Sequence, residues 1–482
     1  EGVMVTNTWV KVVNEDQDDS DPAEYRYYYM QANGKAFTAP ESSDSVRFRT
    51  IDGKRYAFDD DGKMLYGWVT ADGDMQNEED GWVDAIYYLG SWEDGAMKTG
   101  WNKVTVFDEI QDDDMDYWFN FKSNGKKRVA GEEEEIAESK INGKRYAFDK
   151  RGVMTYQWTV ATGDGATSGN WKYFNSPEDG ARVTKGWFKV VAPADDNDNT
   201  FAEYDKSFAS ADAADENERW YYADGNGNLA TGEIKKIGGK YYGFRPEGDR
   251  AAAMLSGLVL LETEGDKITR VIDDGVDSDE LSDILDGTYE DMTDTATLFY
   301  FGDADTDGSM KTGATTVNVD GDSYNFLFSK SGGAESKGRG LTGIDDNKYI
   351  YKYGCRIKAG SDDKYLVVSV KNESDSDATD VGAAGVEVAK ISSSDLRKAA
   401  TDTFKNDDDE TVRYNKIEDS TYYLVNTSGS IQKNKTAAKD GDDWYFYVED
   451  YNVKLYTNNK NLDDKATDKV KENWEDWAGI AK

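Results

Sequence analysis

The sequence predicts an all-β fold, a repetitive β-hairpin solenoid with acidic loop insertions and a partly helical C-terminal region. Three observations support this prediction. A motif that ends in Tyr-Ala-Phe recurs after 90 residues, and aromatic doublets and triplets alternate with Asp-Gly or Asn-Gly turns. The 482 residues also include 46 glycines, 31 tyrosines and 13 tryptophans against 5 prolines. Self-similarity at a fixed period indicates an array of repeats.

The composition excludes several classes of function. The chain has no histidine and one cysteine, so it lacks the residues for a histidine-activated nucleophile, a His-ligated zinc ion or an intrachain disulfide. Lys plus Arg is 57 and Asp plus Glu is 96, which gives a net charge of −39. This charge repels phosphate backbones, and nucleic acid is therefore not an expected partner. Aromatic residues make up 13% of the chain, which predicts a folded protein.

No membrane insertion is expected from the hydropathy pattern. The most apolar run, 251–261, contains a serine and a glycine and is shorter than the roughly 20 residues that a membrane span needs. The chain begins at Glu1, with neither Met nor a basic and then apolar leader. We expect a processed mature form or a fragment.

The first repeated unit is the segment 51–59, Ile-Asp-Gly-Lys-Arg-Tyr-Ala-Phe-Asp, which returns at 141–149 and more loosely at 237–244. Alternation along a strand places Tyr56 and Phe58 on one face. We expect a turn at 59–62 and a returning strand at 63–65. An isolated hairpin is marginal in water, so its aromatic face needs a neighbouring hairpin. Stacking of successive hairpins supplies that neighbour.

Two further aromatic units accompany the first. One has paired aromatics, an Asp-Gly turn and then Met-Lys-Thr-Gly, as in 87–101 and, in related form, in 171–187 and 299–313. The other is an aromatic triplet before an Asn-Gly or Gly-Asn-Gly turn, at 27–29, 117–119 and 220–222. The three units together make a super-repeat of about 90 residues that is present three times.

The repeats predict five regions: super-repeats at 1–101, 102–187 and 188–313, the third with an acidic insertion, then degenerate repeats at 314–360 and a region of mixed hairpins and short helices at 361–482. The acidic stretches 14–21, 108–116, 192–218 and 266–294 are predicted to be exposed loops. A short helix is expected near 277–285. A second helix at 393–404 would be capped by Ser394 or Asp395, and the spacing of apolar residues in 466–480 predicts a terminal capping helix.

The pattern of Gly-Trp, paired aromatics, Asp-Gly and Met-Lys-Thr-Gly-Trp resembles the cell-wall-binding repeats of Gram-positive surface proteins, the choline-binding and glucan-binding superfamily. The unit at 141–149 is especially similar to glucan-binding and clostridial-toxin variants. The resemblance covers roughly residues 1–360. It implies a hairpin solenoid that binds cell-wall polymer or carbohydrate without catalysis, outside the cell or at the bacterial surface.

In the choline-binding branch, aromatic side chains from consecutive hairpins surround a quaternary ammonium. By position, the resemblance implies four groups of ligand-binding candidates: Trp68 with Tyr87 and Tyr88, Trp101 with Trp118, Trp158 with Trp171, and Trp187 with Trp220 and Tyr221. Trp and Tyr faces attract such a cation. The alternative is that these rings form the cores of the hairpins, which have little else to bury.

The residues also suggest a metal site. Asp303, Asp305 and Asp307 precede a glycine at alternate positions, as in a calcium loop, but the twelfth position is an alanine where an EF-hand has glutamate. A plain turn is the alternative, and weak calcium binding by the acidic loops is left open. No other cofactor is predicted.

We interpret the chain as a non-catalytic, secreted or surface-displayed protein that binds cell-wall polymer or another glycan. A glycosidase would need two positioned carboxylates, which an abundance of acidic residues does not identify. The alternatives are a structural subunit of an extracellular filament or surface layer, which self-associates, and an adhesin.

Overall fold

The structure is a computed structural model that describes residues 2–18, 21–40, 45–78, 80–134, 136–160, 171–192, 209–210, 217–246, 250–303, 307–330, 337–406, 408–417 and 419–460. The chain forms two compact units. Unit 1 comprises Glu1–Thr231 and Glu247–Ala253, and unit 2 comprises Gly232–Pro246 and Met254–Lys482. The finer boundaries drawn from the repeats stay predictions.

The described part of unit 1 consists of antiparallel hairpins. Consecutive strands pair with each other, apart from the short strand β14, which pairs with β11. Accordingly β13 pairs with β15. The strands are β1 (Thr8–Val13), β2 (Tyr25–Met30), β3 (Phe48–Ile51), β4 (Lys54–Ala57), β5 (Trp68–Val69), β6 (Tyr87–Tyr88), β7 (Gly100–Asp108), β8 (Asp113–Phe121), β9 (Ala137–Ile141), β10 (Lys144–Phe148), β11 (Gln157–Val160), β12 (Trp171–Phe174), β13 (Gly186–Val191), β14 (Ala209–Ser210) and β15 (Glu218–Ala223).

The hairpin turn of the first repeated unit lies at Asp52-Gly53. Both residues have positive φ, 49° and 81°, and they connect β3 to β4 in a register that pairs Ile51 with Lys54. Two-residue hairpin loops of this kind favour Asp-Gly because their twist matches that of the strands. The predicted returning strand at 63–65 is therefore wrong. That segment belongs to the link that follows the hairpin, in which Met64 forms a single bridge with Phe58.

Each link is hydrogen-bonded to the preceding hairpin. The N–H of Met64 donates to the carbonyl of Tyr27 at 2.8 Å, and the N–H of Met97 donates to the carbonyl of Arg55 at 2.8 Å. The same bond recurs from Met154 to Trp118 at 2.9 Å. Successive hairpins are thus joined to their nearest neighbours, and the predicted all-β hairpin-repeat fold is confirmed.

The Asp-Gly and Met positions of the repeat meet between neighbouring hairpins. Gly95 has φ +59°, and a Cβ there would lie 2.3 Å from the sulfur of Met64. A Cβ at Gly125 would lie 2.2 Å from the sulfur of Met97. The methionine of one link therefore packs against the turn glycine of the next link. This contact explains why the two residue types recur together.

The core of unit 1 is divided among small clusters. In one of them, Tyr56, Phe58 and Met64 are buried, and Trp9 and Tyr29 of the first hairpin pack against them. The predicted face of Tyr56 and Phe58 is confirmed. Each aromatic face is covered by an adjacent hairpin, as expected for strands that cannot bury a face alone.

The described strands of unit 2 form wider sheets. Two are five-stranded, in the orders β17-β16-β19-β18-β20 and β21-β22-β25-β24-β23, and the third has eight strands. The strands of the first two are β16 (Glu233–Ile237), β17 (Lys240–Phe244), β18 (Leu258–Glu264), β19 (Lys267–Asp273), β20 (Ala296–Tyr300), β21 (Gly313–Val319), β22 (Asp322–Phe328), β23 (Gly343–Asp345), β24 (Tyr349–Lys352) and β25 (Cys355–Arg356). The third contains β26 (Tyr365–Asn372), β27 (Val386–Ile391), β28 (Asp402–Lys405), β29 (Thr411–Lys416), β30 (Tyr422–Asn426), β31 (Lys435–Lys439), β32 (Tyr445–Glu449) and β33 (Asn452–Thr457).

Unit 2 also contains helices α1 (Ser278–Asp286) and α2 (Ser393–Ala399). Helix α1 confirms the helix expected near 277–285, and Asp277 caps it in a capping box with Glu280. Helix α2 begins where predicted, but its cap is Ser392 rather than Ser394 or Asp395. It also ends earlier than expected because β28 follows. The predicted terminal helix at 466–480 lies outside the described residues.

One predicted acidic loop is wrong, and a second is a loop only at its centre. The stretch 266–294 contains β19 and α1, whose residues Ile268, Leu281 and Ile284 are buried. The stretch 108–116 is mostly the tip of the β7–β8 hairpin. In β19 and α1, apolar residues among the charged and polar ones supply the buried face, whereas Asp108 of the second stretch is itself buried. No helix that the structure describes is long and apolar enough to cross a membrane.

Candidate ligand site

Half of the predicted ligand-binding aromatics are core residues. Trp158 and Tyr221 are 0% exposed, and the other buried members are Trp68, Tyr87 and Trp171. Five are partly exposed: Tyr88, Trp101, Trp118, Trp187 and Trp220. The core alternative therefore holds for the first group. The second group has surface that a ligand could reach.

The expected pairs form, but each lies within one hairpin. Ring centroids are 4.7 Å apart for Trp68 and Tyr88, and the two residues are register partners in β5 and β6. The pairs Trp101–Trp118 and Trp187–Trp220 are both edge-on at 6.4 Å, and Trp158–Trp171 is edge-on at 5.8 Å. The expectation that these rings come from consecutive hairpins is wrong, since cross-strand pairing within a hairpin brings them together.

Two tyrosines of the predicted groups face elsewhere. Tyr87 is paired with Val69, and its ring contacts Phe48 at 5.0 Å. Tyr221 contacts Trp158 at 4.8 Å. Adjacent residues of a strand point to opposite faces, so neither ring can join the tryptophan of its predicted group.

The tryptophan at the second position of β1 and of β7 packs between hairpins. Trp101 contacts Tyr146 of the next hairpin at 4.8 Å, in an edge-on arrangement. Trp9 contacts Tyr56 at 4.9 Å in the equivalent place. Part of the surface of each tryptophan is therefore used for packing between hairpins.

A further aromatic cluster, which the sequence did not predict, has members from two hairpins. We call it the aromatic trio: Tyr25 and Tyr27 of β2, and Trp92 of the link after β6. The Trp92 ring lies 6.3 Å from that of Tyr25 and 6.4 Å from that of Tyr27, tilted by 34° and 36°. All three rings are partly exposed. The ammonium of Lys11 lies 4.4 Å from the centre of the Tyr25 ring.

The second super-repeat has charged residues where the trio stands. Registers of the hairpins place Asp116 at the position of Tyr25 and Trp118 at that of Tyr27. In the second super-repeat, the turn equivalent to the one that carries Trp92 has a proline at the position of Trp92, and Glu178 follows that proline. Trp118 Nε1 donates to Glu178 at 2.9 Å, and Lys103 Nζ lies 2.9 Å from Glu178 and 3.6 Å from Asp116. The hydrogen bond from Lys103 is the main cause that lowers the pKa of Glu178.

Of the predicted metal residues, Asp307 is engaged with lysines. The Asp307 carboxylate accepts hydrogen bonds from Lys240 and Ser309, each at 2.7 Å, and from Lys311. These bonds hold the pKa of Asp307 well below its usual range. Asp303 is described, and Asp305 lies outside the described residues. The oxygens of Asp307 that would bind calcium already accept hydrogen bonds from two ammonium groups, which favours the plain turn.

No protein-family model and no curated protein matches the sequence. Among solved structures, CbpF in complex with ipratropium matches with a TM-score of 0.39 and 17% identity, over 86% of this chain and 99% of that chain. The modular autolysin LytC from Streptococcus pneumoniae, in complex with a synthetic peptidoglycan ligand, matches with a TM-score of 0.31 and 16% identity, over 70% of this chain and 52% of that chain. CbpJ from Streptococcus pneumoniae matches with a TM-score of 0.26 and 19% identity, over 73% of this chain and 100% of that chain.

The matched proteins include choline-binding proteins and an autolysin, the group that the repeats resemble. All of these TM-scores lie below 0.5. Each match is therefore a similarity, and the function has to be inferred from the aromatic trio and its surroundings.

Proposed function

We propose that this chain is a non-catalytic, secreted or surface-displayed protein that binds cell-wall polymer or another glycan at aromatic side chains on its hairpins. The observation that carries the proposal is the aromatic trio. Its three rings come from two different hairpins and remain partly exposed, and the centre of the Trp92 ring lies within 6.4 Å of the centre of each tyrosine ring. Aromatic rings with an accessible face supply a large contact area for the apolar face of a sugar ring or for a cation.

The proposal places the ligand at the first super-repeat. In the second, the exposed edge of Trp118 is occupied by its hydrogen bond to Glu178. In the third, Trp187 contacts Tyr222 at 5.3 Å and Trp220 at 6.4 Å, and Glu218 takes the position of Tyr25. Among these three positions, as far as the structure describes them, the first alone has a link tryptophan beside the rings of an earlier hairpin.

Retention on three matrices tests the proposal: purified Gram-positive cell walls, insoluble glucan and choline resin. We expect at least one matrix to retain the full chain and Trp92→Ala to reduce that retention severalfold. Trp118→Ala is the control, because Trp118 stands at the position of Tyr27 in the second super-repeat and is already engaged by Glu178, and it should leave retention unchanged. Failure of all three matrices to retain the wild-type chain would exclude the proposed function.

A second candidate is a structural subunit of an extracellular filament or surface layer. It is favoured by apolar side chains on β1, where Val12 is 51% and Val13 is 62% exposed. Adjacent exposed valines on a strand are prone to association with another chain. Sedimentation of the chain over a hundredfold concentration range would show polymers if this function is correct, and Val13→Lys should then shift the chain to monomer.

A further inference from the structure

The same lysine position recurs in all three super-repeats. Lys11, Lys103 and Lys189 each follow the first tryptophan of their hairpin by two residues. Their register partners are the aromatic residues Tyr27, Trp118 and Trp220. The position thus places an ammonium group beside the aromatic surface of each copy.

The first copy differs from the second at one acidic neighbour of its lysine, because Tyr25 stands in place of Asp116, whereas the position of Glu178 keeps a glutamate, Glu93. Lys103 is neutralised by Glu178 at 2.9 Å and Asp116 at 3.6 Å. Lys11 has the Tyr25 ring where Lys103 has Asp116, and within the described part of the chain no carboxylate lies within ion-pairing distance of it. Lys11 is also exposed. The aromatic trio therefore carries an accessible positive charge at its edge.

We propose that the aromatic trio with Lys11 binds a saccharide that carries a carboxylate, in preference to a quaternary ammonium ligand. This inference rests on the proposed function and specifies its ligand class. The rings contact the apolar face of the sugar, and the Lys11 ammonium donates to the carboxylate in a charge-assisted hydrogen bond. A quaternary ammonium would meet the like charge of Lys11 and would compete with it for the face of Tyr25.

The net charge of −39 does not oppose this local preference at physiological salt. The Debye length there is about 8 Å, so exposed carboxylates farther away are largely screened. Lys11 is 4.4 Å from the ring on which the ligand would stack. The ammonium is therefore the charge that the geometry places at the stacking ring.

The test compares two sugars that differ by a lactyl ether group bearing a carboxylate, N-acetylmuramic acid and N-acetylglucosamine, with choline as the cationic probe. Each is titrated against the full chain at about 0.15 M salt, with the 1H and 13C signals of ring-labelled tryptophan as readout. We expect N-acetylmuramic acid to bind about fivefold more tightly than N-acetylglucosamine, which corresponds to the upper end of what an exposed ion pair contributes. Lys11→Gln should remove this preference, and Lys11→Glu should reverse it in favour of choline. Lys103→Gln, whose ammonium is already paired, should leave the preference unchanged.

Equal affinity for the two sugars, tighter binding of choline by the wild-type chain, or a preference that survives Lys11→Gln would overturn the inference. Wall retention separates this result from failure of the proposed function. Retention that falls with Trp92→Ala and not with Lys11→Gln overturns the ligand class alone. Absence of retention on every matrix, together with absence of binding to every probe, overturns both.

Discussion

Lys240 donates to Asp307 across 2.7 Å, and this ion pair joins a hairpin turn to the link of the following hairpin. The same two positions are joined by Lys54 and Asp94 at 3.5 Å, and by Lys144 and Asp179 at 3.2 Å. The lysine is the one that follows the Gly of each Ile-x-Gly-Lys turn, and the aspartate precedes the glycine of each Asp-Gly turn. Two motifs that look independent in sequence are therefore the two halves of one contact between hairpins.

We expect Asp307→Asn to lower the free energy of unfolding by about 1 kcal/mol at pH 7, since exposed ion pairs contribute about 0.2–1 kcal/mol each. The pKa of Asp307 is held well below its usual range by Lys240, Lys311 and Ser309. Its contribution is present above the pKa of an unfolded aspartate, about 4, and is lost as the pH falls toward the folded value. Denaturant unfolding at pH 7 and pH 3 should show the difference between variant and wild type shrinking at low pH.

The control for this variant is Asp60→Asn, which changes an exposed carboxylate of another turn. The same preparations also test the metal alternative. We expect millimolar calcium to leave the unfolding midpoint of the wild type unchanged. Stabilisation by calcium that disappears in Asp307→Asn would show that the aspartate binds the metal instead of the lysines.

The contact between Gly95 and Met64 predicts a larger effect. Gly95→Ala places a methyl group 2.3 Å from the sulfur of buried Met64 and adopts φ +59°. The left-handed backbone costs about 1–2 kcal/mol and the overpacking about 1–3 kcal/mol. Gly100→Ala is the matched control, because Gly100 has φ +72° and a Cβ added there would meet nothing within 4 Å. Equal destabilisation of the two variants in denaturant unfolding would show that Met64 yields without cost.

The fold class was predictable because the repeat carries several agreeing signals. Alternation placed Tyr56 and Phe58 on one face, and the acidic start at Asp277 predicted α1. The Asp-Gly of 52–53 was an available hairpin signal that the sequence interpretation did not use. Strand β19 was missed because the many acidic residues of the segment 266–294 outweighed Ile268 and Val271 in its composition.

The aromatic trio could not be predicted from the sequence. Trp92 and Tyr27 belong to different hairpins of unit 1, and their contact depends on how the intervening hairpin is placed. Sequence also does not separate core from surface tryptophans here. Trp158 and Trp101 follow similar motifs, yet Trp158 is 0% exposed because Tyr221 of a later hairpin covers it.

That difference yields a prediction for the tryptophans. Trp158→Ala removes a fully buried side chain, and we expect it to destabilise unit 1 by about 3–5 kcal/mol. Trp92→Ala removes a partly exposed ring and should cost less than about 1.5 kcal/mol while abolishing most ligand retention. Urea unfolding followed by tryptophan fluorescence gives the first quantity, and matrix retention gives the second. A Trp92 variant as unstable as the Trp158 variant would show that the trio is core rather than a ligand site.

The last prediction concerns Lys127, which occupies the link position held by Met64, Met97 and Met154 in the neighbouring hairpins. Its N–H donates to the carbonyl of Ile86, as those of the methionines do to their preceding hairpins. The side chain is 5% exposed, and its ammonium donates to the carbonyls of Trp82 at 2.7 Å and Val83 at 3.0 Å. Burial lowers the pKa of Lys127 to about 7.

Between pH 7 and the pKa of an unfolded lysine, about 10.4, the unfolded chain binds more protons than the folded chain. The stability of the wild type should therefore rise with pH across this window, because the penalty for burying the charge is fully present below pH 7 and is relieved above it. Lys127→Met removes the titrating group and restores the repeat residue. We expect the wild type to gain on the order of 4 kcal/mol relative to this variant between pH 6 and pH 10. Urea unfolding at pH 6, 8 and 9.5 measures the gain, with the exposed Lys126→Met as control, and parallel pH curves for wild type and Lys127→Met would contradict the prediction.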